Sequence, residues 1–251
     1  MTFAISTLFA LLGCAVGSFL NVCIDRLPER RSLVSPASRC DACGARLAPL
    51  DLIPVISFLL LKGRCRYCGA PIPLSVLLVE VVTGIAFTLL WFHYGLTLEL
   101  AAGLLFTSLF IAIFVIDIRH HLILNVMVYP AIVAAVAFAL FTHRNEVLYM
   151  IYGGIAGAGL LLVIALVFPG SMGFGDVKFA ALMGLIVGFP QVFVGLTVSF
   201  ILGGILGAML LIARRRGRRD PVAFGPFLTV GAMVAMLYGQ DLVRWYLNLG
   251  G

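Results

Sequence analysis

Residues 96–121 read LTLELAAGLLFTSLFIAIFVIDIRHH. The run from Leu96 to Ile116 holds one charge, Glu99, and ends on Asp117. A helix that crosses a bilayer needs about 20 predominantly apolar residues. The stretch therefore reads as a membrane helix with a carboxylate at its end. Working outward, the same pattern recurs along the chain. Candidate spans fall at about 3–24, 74–92, 97–116, 122–141, 147–168, 177–189, 191–213 and 222–240. The sixth is abnormal. About 13 residues precede Phe189-Pro190, which at 1.5 Å per residue reach about 20 Å across a core of about 30 Å. Either it tilts, or its start lies below the membrane surface and takes the adjacent Asp176 down with it.

Composition agrees. The chain is 62% hydrophobic and 11% charged, with a mean hydropathy of +1.13. A soluble domain has roughly 45–50% apolar and about 25% charged residues. The expected fold class is an all-α polytopic membrane protein of about eight transmembrane helices with a small cytoplasmic four-cysteine zinc-binding loop domain. Phe3–Ile24 is too long for the apolar region of a signal peptide, and no small-x-small cleavage site precedes the polar loop, so it is read as a retained helix. The expected division is a first transmembrane helix at 1–25, a cytoplasmic loop domain at 26–73 and a second transmembrane domain at 74–251. No internal repeat or low-complexity tract is evident.

Basic residues set the orientation. Fifteen of the 17 fall on one side: eight in the loop from Arg26 to Arg66, then Arg119, Lys178 and the cluster Arg214, Arg215, Arg216, Arg218 and Arg219. Only Arg144 and Arg244 fall on the other. The first side is then cytoplasmic, and it carries the loop, Asp117 and Asp176. This bias accounts for the net charge of +6 without a nucleic acid partner; some attraction to anionic lipid accompanies it.

The loop contains Cys40-Asp-Ala-Cys43 and Cys65-Arg-Tyr-Cys68, 21 residues apart. Each CxxC is expected to fold as a knuckle that aims two thiolates at one point, with Gly44 and Gly69 in the turn that follows. Two knuckles complete a tetrahedral four-sulfur zinc site. The alternative is a pair of disulfides, which a reducing cytoplasmic face opposes. A closed four-cysteine site has no open coordination position, so its expected role is folding. A loop of this size cannot build a sufficient core alone, and metal binding supplies the missing free energy. Cys14 and Cys23, in the first helix, are read as small packing residues.

Asp117 and Asp176 lie where membrane helices meet the same face. Asp176 closes the turn Gly173-Phe-Gly-Asp176 and precedes Lys178. An ionisable group at membrane depth is a functional-site hypothesis. Two carboxylates that meet suggest a pair sharing a proton and activating one water. Gly173 and Gly175 are expected either to adopt positive φ or to allow close approach of another chain segment. His120 and His121 are adjacent and so do not face one another on a helix; they read as interfacial residues. Lys178 either biases the charge of the aspartates or snorkels. Arg214–Arg219 read as a topology anchor. Glu80, inside a span, is either functional or a hydrogen-bonded packing group. The stretch Gly17–Asn21 reads as helix packing or as part of a pocket.

With these motifs in place the chain resembles the prepilin peptidases, the GxGD-type membrane aspartic proteases that process type IV pilins and type II secretion pseudopilins. The resemblance rests on Gly17-Ser-Phe-Leu-Asn-Val22, Arg26-Leu-Pro28, the paired CxxC loop, Asp51-Leu-Ile-Pro54 through Gly63-Arg-Cys-Arg66, Leu78-Val-Glu80, the two aspartate motifs and Phe224-Gly-Pro226. Two places depart from the pattern: Leu122-Ile-Leu-Asn125 lacks a proline after the first aspartate, and Ile72-Pro-Leu-Ser-Val-Leu precedes Leu78. The resemblance implies that Asp117 and Asp176 are catalytic, and that 74–251 is the peptidase domain. It also implies that the enzyme is bifunctional, methylating the new N-terminus with S-adenosylmethionine. No glycine-rich Rossmann pattern marks a site for that cofactor; Glu80 and Asn21 are the weak candidates. The expected setting is the bacterial inner membrane, with prepilins or pseudopilins as substrates. A leader peptidase without methyltransferase activity, a proton-coupled transporter and a non-catalytic scaffold are the alternatives. The transporter predicts inverted repeats, which are not found.

Overall fold

The computed structural model describes residues 2–142, 144–170, 172–213 and 223–249. The cluster Arg214–Arg219 lies outside them. The described residues form nine α-helices and no extended sheet. They are α1 Thr2–Arg26, α2 Ile56–Leu60, α3 Leu74–Tyr94, α4 Leu98–His120, α5 Asn125–Thr142, α6 Val147–Val167, α7 Phe174–Val187, α8 Gln191–Ile212 and α9 Gly225–Leu249. Seven of these, all but α2 and α7, are long and apolar enough to cross a membrane. The chain is thus a multi-pass membrane protein. Many large apolar side chains on these helices face outward, among them Leu148, Ile155, Val163 and Leu166 of α6. In a bilayer that face meets lipid. Helices suit this setting because their backbone groups are satisfied internally.

The chain divides into two compact units, Met1–Ala112 and Ile113–Gly251. In the first, α1 packs along α3 at very close range. A Cβ on Gly13 would lie 2.7 Å from the Gly84 Cα, and one on Gly17 would lie 2.7 Å from the Glu80 Cα. Small residues replace the hydrophobic effect as the means of joining helices in lipid, because they let backbones touch. Cys14 and Cys23 take part as expected. Cys14 Sγ fills the space beside Gly84, and Cys23 is buried. The packing reading of Gly17 holds.

In the second unit α6 and α7 pack by the same device. Gly153 and Gly184 are in backbone contact, and Gly157 lies against the Ala180 carbonyl. The two helices run antiparallel, so four residues up α6 match four residues down α7. Their shared end is tied by the Phe189 amide to the Tyr149 carbonyl, 2.9 Å. Extending the match places Asp176 level with Leu161. Six more residues of α6 continue past that level to Val167, about 9 Å of helix. The short sixth element of the sequence is therefore a short helix whose Asp176 end is sunk relative to its neighbour.

Candidate active site and metal centre

Both aspartates lie in the second unit. Asp117 lies in the last turn of α4, three residues before its end, and is buried at 5% exposure. Asp176 lies in the first turn of α7 and is buried at 8%. The two are close enough for the Asp117 charge to act on Asp176.

Each carboxylate is oriented by a glycine amide at the start of a helix. The Gly225 N–H, where α9 begins, donates to Asp117 Oδ2 at 3.0 Å. The Gly173 N–H donates to Asp176 Oδ2 at 3.1 Å, while the Asp176 amide donates back to the Gly173 carbonyl at 3.1 Å. Glycine has no side chain to reciprocate, so this is one half of a capping box, with the acid at the third helical position holding the Gly173 amide. Unpaired amides and the helix dipole make a helix start a natural place for an anion. Asp117 thus sits at the positive end of α9, and Asp176 at that of its own helix.

Of the two roles expected for the GxGD glycines, close approach is the one observed. Gly173 has φ −83° and Gly175 is helical. A Cβ on Gly175 would lie 3.0 Å from the Ile123 Cβ, in the segment that follows Asp117. Gly175 lets the two aspartate-bearing segments touch. Asp176 therefore belongs to the helix rather than to an open non-helical stretch.

Around the pair, His121 closes α4. Its amide bonds the Asp117 carbonyl at 2.9 Å, its φ is +53°, and its side chain acts electrostatically on Asp117. His120 is exposed. Lys178 is held by Asn125 Oδ1 at 3.0 Å and lies 5.5 Å from the centre of the Tyr129 ring. It ties α7 to α5.

The four cysteines also converge. Cys40, Cys43, Cys65 and Cys68 place their sulfurs within 4.8 Å of one another, with Cys40 and Cys68 at 3.9 Å. Zn–S bonds of about 2.3 Å in a tetrahedron require sulfurs about 3.8 Å apart. The cluster therefore suits a metal ion. Two nearly identical knuckles build it. In each, the first cysteine's amide bonds the carbonyl five residues on, and its carbonyl accepts the glycine amide four residues on. Gly44 and Gly69 take φ +70° and +73°, which favours glycine. Single bridges, Arg39 with Arg46 and Arg64 with Pro71, close the knuckles.

The charge balance of the cluster is compatible with a bound cation. Amides of Cys43 and Ala42 aimed at the Cys40 sulfur lower its pKa to about 7. At Cys68 the Ala70 amide favours the thiolate. Burial and the sulfurs of Cys43, Cys65 and Cys40 outweigh it and raise the pKa to about 11. Four thiolates repel unless a dication joins them. The loop is braced further by Asp51, whose carboxylate accepts from Arg66 Nε at 2.6 Å, the Ala48 amide at 3.1 Å and the Tyr67 hydroxyl at 3.2 Å. The Arg66 hydrogen bond, assisted by the Ala48 amide, holds Asp51 below the usual carboxylate range.

Glu80 is buried in α3 and fully engaged in structure. Its Oε2 accepts the Val55 amide at 2.7 Å, and its carboxylate also accepts the Ser18 hydroxyl. Asn21 Nδ2 donates to the Val76 carbonyl at 3.1 Å. Ser18 and Val55 lie inside motif stretches, but nothing there named Glu80 as their partner. Gly225 also lies in one, the Phe224-Gly-Pro226 motif, but nothing in it named Asp117 as its partner.

Comparison with known proteins agrees with this geometry. The model of the bacterial Peptidase A24 N-terminal domain matches residues 11–94, and that of the type IV leader peptidase family matches residues 104–208. A prepilin leader peptidase/N-methyltransferase of Bacillus subtilis (strain 168) is 32% identical over 98% of both chains. The chain belongs to the type IV leader peptidase family. A Pseudomonas aeruginosa relative of the same description is 32% identical over 96% of this chain and 93% of its own. One from Dichelobacter nodosus is 33% identical over 94% and 91%. No solved structure matches the chain. Within this leader peptidase family fold, the first matched segment carries the cysteine loop and the second both aspartates.

Proposed function

We propose that the chain is a membrane aspartic endopeptidase. It removes the leader of type IV prepilins or type II secretion pseudopilins and methylates the N-terminus it exposes. The observation that carries the reading is the buried pair Asp117 and Asp176, each held by a glycine amide. Two adjacent carboxylates cannot both ionise cheaply, so together they hold one proton. In the proposed cycle the ionised member takes a proton from water as its oxygen attacks the scissile carbonyl carbon. The protonated member gives its proton to the carbonyl oxygen. The tetrahedral diol then collapses: one member of the pair takes a proton from a diol hydroxyl as the other gives its proton to the departing amine, which restores the single shared proton. No covalent enzyme intermediate forms.

The positive-inside bias supports a cytoplasmic, inner-membrane position for the pair and the loop. The natural target there is a bond between a charged leader and a membrane-inserted apolar helix. A glycine before the bond suits this, since glycine is the least costly ordinary residue at which to open a helix. Cys40, Cys43, Cys65 and Cys68 would hold a structural zinc ion, which supplies folding free energy to the loop. Methylation is supported by the description of the relatives and by the presence of the cysteine loop. S-adenosylmethionine would be the methyl donor. Glu80 Oε2 and Asn21 Nδ2 each bond a protein backbone group, and no step is derived through them.

The test uses Asp117→Asn and Asp176→Asn with a prepilin substrate and a labelled methyl donor, the product being weighed by mass spectrometry. Each variant should insert normally and lose cleavage. Cleavage retained by either removes that residue from the mechanism. Wild-type product without the added methyl mass would leave a leader peptidase alone.

A further inference from the structure

The cysteine loop carries an apolar ridge that the proposed function does not use. Leu50, Ile53, Ile56, Leu59 and Leu60 are all exposed, from 37% at Ile53 to 78% at Leu60. They lie within twelve residues, on a 3-10 turn, Pro49–Leu52, at Ile53 just after it, and on the short α2. In water such a ridge would be a liability, because contiguous exposed apolar surface marks an interaction site.

The tether at the centre of this segment says where the ridge lies. Val55 holds φ +61°, a conformation that is an outlier for a β-branched residue. Its amide is bonded to Glu80 at 2.7 Å. Glu80 is six residues past the start of α3 at Leu74, about 9 Å along the helix. The loop therefore does not end where the membrane helix begins. It folds back beside the first two turns of α3, and the ridge flanks that point of attachment.

The backbone is equipped for such a position. Irregular chain at membrane depth needs its polar groups satisfied. Amides of Asp51, Ser57, Leu59 and Leu61 bond carbonyls at Ala48, Ile53, Val55 and Ser57, and Pro54 brings no amide. Lys62 and Arg64 follow directly, the charge complement for anionic headgroups above an inserted apolar segment.

We infer that Pro49–Leu60 is a re-entrant wedge seated in the lipid of the membrane interface, held there by the Val55–Glu80 hydrogen bond. Its occupant is lipid: acyl chains against the leucine and isoleucine ridge, and headgroup phosphates near Lys62 and Arg64. The wedge fixes the height of the cysteine cluster above the bilayer.

The experiment places the photoreactive residue p-benzoylphenylalanine at Leu59, Leu60 or Val34 of the full chain in phosphatidylethanolamine–phosphatidylglycerol vesicles. Val34 belongs to the same loop, is 90% exposed and lies far in sequence from Val55. After illumination, lipid adducts are counted by mass spectrometry. At least a tenfold excess of lipid adducts at positions 59 and 60 over position 34 is expected. Glu80→Leu combined with the position 59 probe should remove most of that excess, while Glu80→Gln, which keeps an acceptor oxygen, should preserve it. Equal lipid labelling at 59 and 34, or adducts mainly to protein at 59 and 60, overturns the inference. Neither outcome depends on cleavage or methyl transfer.

Discussion

Adding one methyl group at Gly225 tests the site at its most exacting point. In Gly225→Ala the new Cβ would lie 2.5 Å from Asp117 Oδ2, 2.9 Å from its Cγ and 3.2 Å from its Cβ. Ordinary contact begins at about 3.4 Å, so the carboxylate must withdraw by about 1 Å, and the 3.0 Å hydrogen bond from the Gly225 amide breaks. A hydrogen bond to a charged group is worth about 1.5–3 kcal/mol. If that interaction is felt in the transition state, the rate should fall roughly 10- to 150-fold, at about 1.4 kcal/mol per tenfold. The assay is cleavage of a prepilin in reconstituted vesicles, with initial rates read by mass spectrometry across a range of substrate. The loss should fall on kcat, since Gly225 acts by positioning Asp117. Membrane insertion and cysteine accessibility should match the parent. A Gly225→Ala enzyme within twofold of the parent would refute the claim that this amide holds the carboxylate in its working position.

Further outcomes follow from other parts of the molecule. Carefully prepared protein should contain one zinc per chain, and Cys43→Ser should lower metal content and speed proteolysis of the loop; metal analysis showing no zinc and four free thiols would end this claim. Gly184→Ala would force α7 off the Gly153 backbone, an overpacking that costs about 1–3 kcal/mol; its heat-induced aggregation in detergent should shift to lower temperature, and unchanged thermal behaviour would count against the close α6–α7 contact. Asp51→Asn should weaken hydrogen-exchange protection around Ala48. The folded pKa of Asp51 is depressed, so its stabilisation is complete above the ordinary carboxylate value near 3.9 and fades only as pH falls through the lower folded value. The difference between parent and variant should therefore be flat from pH 5 to 8, and a difference that titrates in that window would contradict the Arg66–Asp51 assignment.

What was legible in the sequence was what local pattern encodes. Apolar runs marked the long helices, and paired CxxC motifs with following glycines marked the sulfur cluster, down to the positive φ of Gly44 and Gly69. The shortness of the sixth element and the sinking of Asp176 were readable as a length deficit. Partnerships across the chain were not. Gly225 and Asp117 are 108 residues apart, and Val55 and Glu80 are 25 apart. Hydropathy carries no record of which buried amide a carboxylate will accept. The start of α7 was set late for a related reason. Asp176 caps its own helix through Gly173, which draws Phe174 and Gly175 into the first turn, whereas an apolar window sees only a polar break.

The shortness of α7 also bears on supply. Hydrolysis consumes water, and a bilayer interior excludes it. α7 is tied near the start of α6 through Phe189 and Tyr149, and at the end that carries Asp176 four residues of α6, about 6 Å, run past the start of α7 at Phe174. No helical rung of α7 fills that depth beside the last turns of α6. A shortened hydrophobic segment lets lipid dip or solvent enter at modest cost. On the proposed mechanism the missing turn of helix would serve as an inlet, bringing the second reactant to a carboxylate pair that would otherwise lie below the waterline.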